Sequence, residues 1–379
     1  MPKSSPKSPT LFGEPEPAKR DKDADLKLRV ARYLWSLGYV CPTEVAMSGR
    51  EIIQGEAKRY DLTDLDVVGI KFENDLSWQT VIGDCKSGAR PSPVARLFWL
   101  RGVMDFFGAQ RGYLAMPSIG RESREVALRL GISLLDDDNL AAYEAEKHLL
   151  AQDLRLFSME GYDRKRQLWG LNLPKDATPT ADEERLLRVY QFLSYRYWFQ
   201  EEYLNVQHTV TVFADAADLL GKHPDQRRAR LVAYRGLTLL AISLLKMCGS
   251  VMATKRTELH NEVRRYIFGG ASNAIERHKL MKLLATISQK PVSLEPAYYD
   301  ALLELANRLV TYSEYAKNIP RYIELILSET VVSERAEPLE KLIGSDFEVD
   351  TLKLAKDVAD FLCVAAGLDK GIYEALMKQ

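Results

Sequence analysis

Two short acidic signatures carry the chemistry this sequence could perform. Asp64-Leu65-Asp66 lies in LTDLDVVGIKF and Asp84-Cys85-Lys86 in WQTVIGDCKSG, each on an apolar run. Alternate residues of a strand face one side, so Asp84 and Lys86 share a face while Cys85 points away. Paired as an antiparallel hairpin, the two runs bring Asp66, near the start of one, beside Asp84, near the end of the other. Hard cations such as Mg²⁺ take oxygen ligands, commonly one or two carboxylates plus substrate phosphate and water. Asp66, Asp84 and the backbone carbonyl of Cys85 supply such oxygens. Lys86 would position or deprotonate an attacking water and offset the charge that grows on a phosphate. The chemistry is metal-dependent hydrolysis of a phosphodiester. Asp64 reads as a polar residue at the strand start, and the Cys85 side chain as buried packing rather than a nucleophile.

An Asp-x-Lys triplet alone is usually a solvated ion pair, so the elements that would position it decide its meaning. From Asp23, the residues Leu26, Leu28, Val30, Ala31, Leu34, Trp35 and Leu37 recur at helical spacing, with Gly38 as a C-cap. Tyr39 to Met47 can run extended, and SGREIIQGEAKRYD reads as a polar, partly irregular connection. Leu65 to Phe72 and Gln79 to Cys85 are strands, separated by the turn residues of Glu73 to Trp78. After the loop SGARPSP, the aromatic stretch Val94 to Ala109 predicts a buried helix. Gly112 to Ser118 is a strand, Gly120 to Gly131 a helix and Ile132 to Asp136 a strand. This order predicts an α/β domain with a mixed central sheet flanked by helices.

Beyond Glu146 the periodicity is helical throughout: Asp182 to Leu204, Thr209 to Leu220, Asp225 to Met252, Glu258 to Phe268, Asn273 to Ser288, Glu295 to Ala316, Arg321 to Ser328 and Val349 to Ala366. The chain of 379 residues divides into a tail (1–22), the α/β domain (23–147), a connector (148–180) and an all-α domain (181–379). The tail is rich in Pro, Ser and Lys and has no apolar core of the kind a signal peptide carries. Hydrophobic residues make up 46% and charged residues 28%, the balance of a folded soluble chain.

A formal net charge of −1 excludes a protein that holds nucleic acid through a basic surface as a whole, so any basic footprint is local. Cys41, Cys85, Cys248 and Cys363 lack the paired spacing of a zinc site and fit a reducing cytoplasm. The longest apolar stretch, Gly236 to Met252, is interrupted by Lys246 and reads as a buried helix, with no membrane association.

The N-terminal residues resemble the restriction-endonuclease-like nucleases, the PD-(D/E)xK superfamily, and most closely its Mrr-type branch. The resemblance covers about Asp23 to Glu146 through RVARYLWSLGY, DLDVVGI, GDCKSG, RGYLAMPS and ALRLGISLLDDDNL. It implies a restriction-endonuclease-like fold in which Asp66, Asp84 and Lys86 are catalytic, with Mg²⁺ as cofactor and Mn²⁺ as a substitute. The family often adds an acid from the first helix. Lys27 stands near that place here, which leaves Asp25 and, on the next strand, Glu44 as candidates.

Phosphate contacts are expected from Ser87, Arg90 and Arg96 just after the motif, and from Arg50 and Lys58 before it. The aromatic run VYQFLSYRYWFQEEY reads first as core or an oligomer interface. Together these features predict a cytoplasmic, metal-dependent endonuclease acting on DNA, with restriction or antiphage defence implied by family analogy alone. The helical domain would bind a protein partner or a second copy. An RNA-cutting or dual-specificity nuclease and an inactive nucleic-acid- or partner-binding subunit are the alternatives.

Overall fold

The computed structural model describes residues 21–53, 56–88, 92–149, 154–169, 180–221, 226–254, 258–288, 295–333 and 336–379. Helix α1 (Ala24–Ser36) places Leu26, Val30, Ala31, Leu34 and Trp35 in the core, as its spacing dictates. Five strands follow in one sheet: β1 (Thr43–Ile53), β2 (Glu56–Phe72), β3 (Trp78–Cys85), β4 (Arg111–Ala115) and β5 (Ile132–Leu135). Their spatial order equals their chain order. The pairs β1–β2 and β2–β3 are antiparallel, and β3–β4 and β4–β5 parallel. Each parallel step needs a crossover helix, supplied by α2 (Pro93–Phe107) and α3 (Arg121–Leu130). Helix α4 (Asp137–Glu146) closes this half. The result is a mixed sheet with helices, the predicted layout.

Two local expectations are corrected. The stretch expected to be irregular continues the strands instead: β1 and β2 stay paired from Thr43↔Val67 out to Ile53↔Glu56, with a register shift between Met47 and Ser48. Backbone ladder bonds hold this extension without the apolar alternation that marks a half-buried strand. Helix α2 is not buried all round. It turns Leu97, Leu100 and Met104 inward while Phe98 and Phe106 remain exposed. Ser92 caps its start through Ala95 N–H, and Gly108 ends it at φ 72°, a left-handed conformation natural to glycine.

The second half is helical. The predicted helix Asp182 to Leu204 runs as α6 (Ala181–Gln191), then a π-turn over Phe192–Arg196 and one further turn to Phe199. Phe192, Leu193, Tyr195 and Tyr197 are buried, so most of this aromatic run is core. Next come Leu204–Gly221, Gln226–Met252, Leu259–Ile267 and Ala271–Ser288. The stretch expected as one helix from Glu295 breaks at Tyr312 into Tyr299–Thr311 and Ser313–Ala316. Ile319–Val332 and Val349–Ala366 complete the main set. Gln226–Met252 is long and apolar enough to cross a membrane by length and composition, and 89% of its apolar window is buried inside the protein. The span expected as connector contains α5 (Met159–Leu168), capped by Ser158, whose hydroxyl accepts from Gly161 N–H.

One hydrophobic core runs through both halves. The turn between β2 and β3 is a joint between them: Leu76 is fully buried, at φ 58°, with its carbonyl against Gly249 of the long helix. A Cβ on Gly249 would lie 2.3 Å from that carbonyl oxygen. Gly249→Ala should therefore cost about 1–3 kcal/mol, as overpacking does, and lower the thermal midpoint. An unchanged melting curve would mean that the turn does not seat there in solution.

Candidate active site

The hairpin register sets the site. Val67 pairs with Gly83, so the next positions, Asp66 and Asp84, lie opposite each other at one end of the sheet. Both are buried, Asp84 at 3% exposure. Lys86 continues the β3 direction, its N–H bonded to the Ala115 carbonyl at 3.0 Å. Its ammonium folds back over the strand ends. Lys86 Nζ lies 2.9 Å from Asp66 Oδ2, 3.1 Å from the Cys85 carbonyl and 3.2 Å from Asp84 Oδ1. The three oxygens that the sequence assigns to a cation thus surround one cationic atom. Cys85 N–H also donates to Asp66 Oδ2 at 2.8 Å. The Cys85 side chain faces away into the core, where burial raises its thiol pKa well above the ordinary range.

Further charge reaches the same carboxylates from elements distant in sequence. Lys27 of α1 is 6% exposed and reaches Asp21 Oδ2 at 2.8 Å, Asp66 Oδ1 at 3.1 Å and Glu44 of β1. Burial works against its charge, but Asp66, Asp21 and Glu44 outweigh it and raise its pKa, so Lys27 is an ammonium. Tyr162 of α5 donates toward the same acids, 2.6 Å from Asp21 Oδ2 and 3.0 Å from Glu44 Oε1. Helix α5 packs Tyr162 on Ala24 and Leu28 of α1. Burial raises the Asp21 pKa, while Lys27, Tyr162 and the Asp23 N–H lower it more, to about 2. Glu44 holds φ 58°, a strained setting for a residue with a side chain, and such strain gathers at functional sites.

Arg96 of α2 grips Asp84 with both arms of its fork: Nε to Oδ2 at 2.7 Å and Nη2 to Oδ1 at 2.6 Å. The guanidinium carbon lies 3.8 Å from the Trp99 ring centroid, which steadies it. Burial lowers the Lys86 pKa, but Asp84 and Asp66 outweigh it and raise it, so Lys86 is held as an ammonium rather than a ready base. Ser87 donates N–H and hydroxyl to Asp23 Oδ1, the former at 2.8 Å. Asp23 therefore starts α1 without capping it, its carboxylate drawn to the loop after β3.

Among the predicted residues, Asp66, Asp84, Cys85, Lys86, Arg96 and Glu44 meet in this cluster, and Ser87 borders it. Asp25 and Asp64 are exposed. Arg90 and the side chains of Arg50 and Lys58 lie outside the described residues. Asp21, Asp23 and Tyr162 join the cluster without a motif to announce them. Among the described residues no group of three or more His, Cys, Asp or Glu side chains is arranged to hold a metal ion. Ammonium and guanidinium groups stand against these carboxylates instead. The donors are all oxygen, the type a hard divalent cation takes, and the named carboxylates of Asp21, Asp23, Glu44, Asp66 and Asp84 outnumber the cations of Lys27, Lys86 and Arg96.

No family description, curated protein or solved structure matches this chain. The architecture, a mixed α/β half followed by an all-α half, is consistent with the general restriction-endonuclease-like class.

Proposed function

We propose that the α/β half is a metal-dependent endonuclease that hydrolyses phosphodiester bonds of DNA, with Asp66, Asp84 and Lys86 as its catalytic residues. The observation that carries this reading is the convergence of Asp66 Oδ2, Asp84 Oδ1 and the Cys85 carbonyl on one cationic atom. Asp66, Asp84 and that carbonyl would hold Mg²⁺ or Mn²⁺. Such an ion activates a water and stabilises charge on the phosphate. The protein's own part is to fix these oxygens on two paired strands and to keep three cations, Lys27, Lys86 and Arg96, beside them. Lys86, released from the carboxylates, is placed to neutralise a scissile phosphate. Arg96, tethered to α2, would meet the adjacent backbone phosphate in the same way. The helical half would select the target or bind a partner or second copy, and a defence role follows from family analogy only.

The test is cleavage of single- and double-stranded DNA and RNA by the purified chain with Mg²⁺, with Mn²⁺ and with EDTA. Metal-dependent cutting of DNA over RNA is expected. Cutting of RNA alone would overturn the substrate assignment. One observation favours a second reading: every carboxylate of the cluster already meets a cation or a hydroxyl, as in a purely structural network. Nucleic-acid binding without cleavage under any metal would select that reading.

A further inference from the structure

A cavity of about 220 Å³ lies beside the acid cluster, where α5, Gln226–Met252, Ile319–Val332 and the start of β1 meet. It is smaller than the roughly 300–1,000 Å³ of drug-sized sites, so it suits a small ligand. Its chemistry is cationic. Arg235 lies over the Trp169 ring at 5.1 Å and, among the described residues, has no hydrogen-bonded acceptor. Lys165 donates to Ser328 Oγ at 2.8 Å and lies 3.7 Å from Glu324 Oε2. Glu324 divides its charge, since its other oxygen accepts from Thr238 at 3.1 Å. Arg166 adds a third positive group on the lining. Among the described residues the other acid on the lining, Glu44, is engaged by Lys27 and Tyr162.

Lys165 and Arg235 are partly shielded from water, and burial lowers the pKa of both despite Glu324. An anion in the cavity would relieve both. A guanidinium fork beside an ammonium recognises a tetrahedral dianion better than a single carboxylate, because it meets two oxygens while the ammonium meets a third. We propose that this cavity binds a small phosphate-bearing anion, either free phosphate or the phosphate of a mononucleotide, through Arg235 and Lys165. The cavity shares Glu44 and Tyr162 with the acid cluster, while the binding proposed here does not rest on phosphodiester cleavage.

The test follows the thermal midpoint of the full chain against inorganic phosphate and against adenosine 5′-monophosphate, at ionic strength held constant with chloride. The midpoint should rise with ligand concentration. A rise with both ligands identifies the free ion, and a rise with the nucleotide alone identifies a nucleotide phosphate. Arg235→Gln should weaken the apparent affinity at least about tenfold, the effect of losing one charge-assisted contact. Arg235→Lys, which keeps the charge and loses the fork, should fall between. No response to either ligand at concentrations on the order of 10 mM overturns the proposal. An equal response in Arg235→Gln also overturns it, because the anion would then be bound elsewhere. Should Arg235→Gln fail to fold, Lys165→Met decides by the same criterion.

Discussion

Asp84→Asn is expected to reduce metal-dependent cleavage of DNA by about 10²–10³-fold or more, the scale of losing one preorganised charge at a reacting centre. The substitution preserves shape and keeps an oxygen for Arg96, so the fold should survive. It removes the negative charge a divalent cation needs, and it leaves Lys86 with Asp66 alone. The effect should appear in kcat more than in KM, because Asp84 is buried behind Arg96 rather than offered to the substrate. Cleavage at the wild-type rate, with metal dependence intact, would remove Asp84 from the catalytic set. Arg96 makes the case stricter. Its fork occupies both oxygens of Asp84. An Asp84 that works with a cation must exchange that partner for one, and a DNA phosphate is the natural new partner for the guanidinium.

Lys27→Met should produce the largest change in stability. Lys27 is almost wholly buried and faces Asp21, Glu44 and Asp66. Removing one member of such a group leaves uncompensated charge at a cost of about 3–5 kcal/mol, which is about 4–6 °C in thermal midpoint for a chain of this length. The dependence on conditions identifies the cause. A raised lysine pKa means that its stabilisation is complete below the unfolded value of 10.5 and is lost only above that, as pH climbs toward the folded value. At neutral pH the full loss is therefore felt. The gap between variant and wild type should shrink as pH falls from the ordinary 3.8 of Asp21 toward its lowered value of about 2, where that carboxylate protonates. A divalent cation should stabilise the variant more than the wild type, since it can take the place of the ammonium. Equal midpoints for the two proteins at pH 7 would show that the network contributes nothing to folding. An equal response to Mg²⁺ or Ca²⁺ would show that Lys27 does not stand on a cation position.

The sequence made the hairpin legible because two β-branched runs separated by turn residues leave few other pairings, and antiparallel order then sets Asp66 against Asp84. The helical half was equally open to reading from its period. Tyr162 was not. It enters the acid cluster from a helix inside the expected connector, separated from Asp21 by 141 positions, and only tertiary packing on Ala24 and Leu28 brings it there. Lys27 stood where an acid was sought, and nothing local says that a lysine in an apolar helix face will bury its ammonium among carboxylates. The long continuation of β1 and β2 escaped for a different reason. Strands that pair through backbone bonds need no apolar alternation in sequence, and this stretch carries none to detect. Helix α2 misled through its composition: a dense set of aromatics was read as burial, although Phe98 and Phe106 are exposed.

The seating of Leu76 has a mechanical consequence. Strand β3 runs the eight residues Trp78–Cys85 between that turn and the acid pair, about 26 Å of extended chain. Ladder bonds to β2 on one side and β4 on the other make it nearly inextensible. It behaves as a push-rod: its far end is held at Gly249 in the helical half, with Lys246 against Trp78 at 5.4 Å. The same strand thus ties the long helix of the helical half to the end of the sheet that carries Asp84.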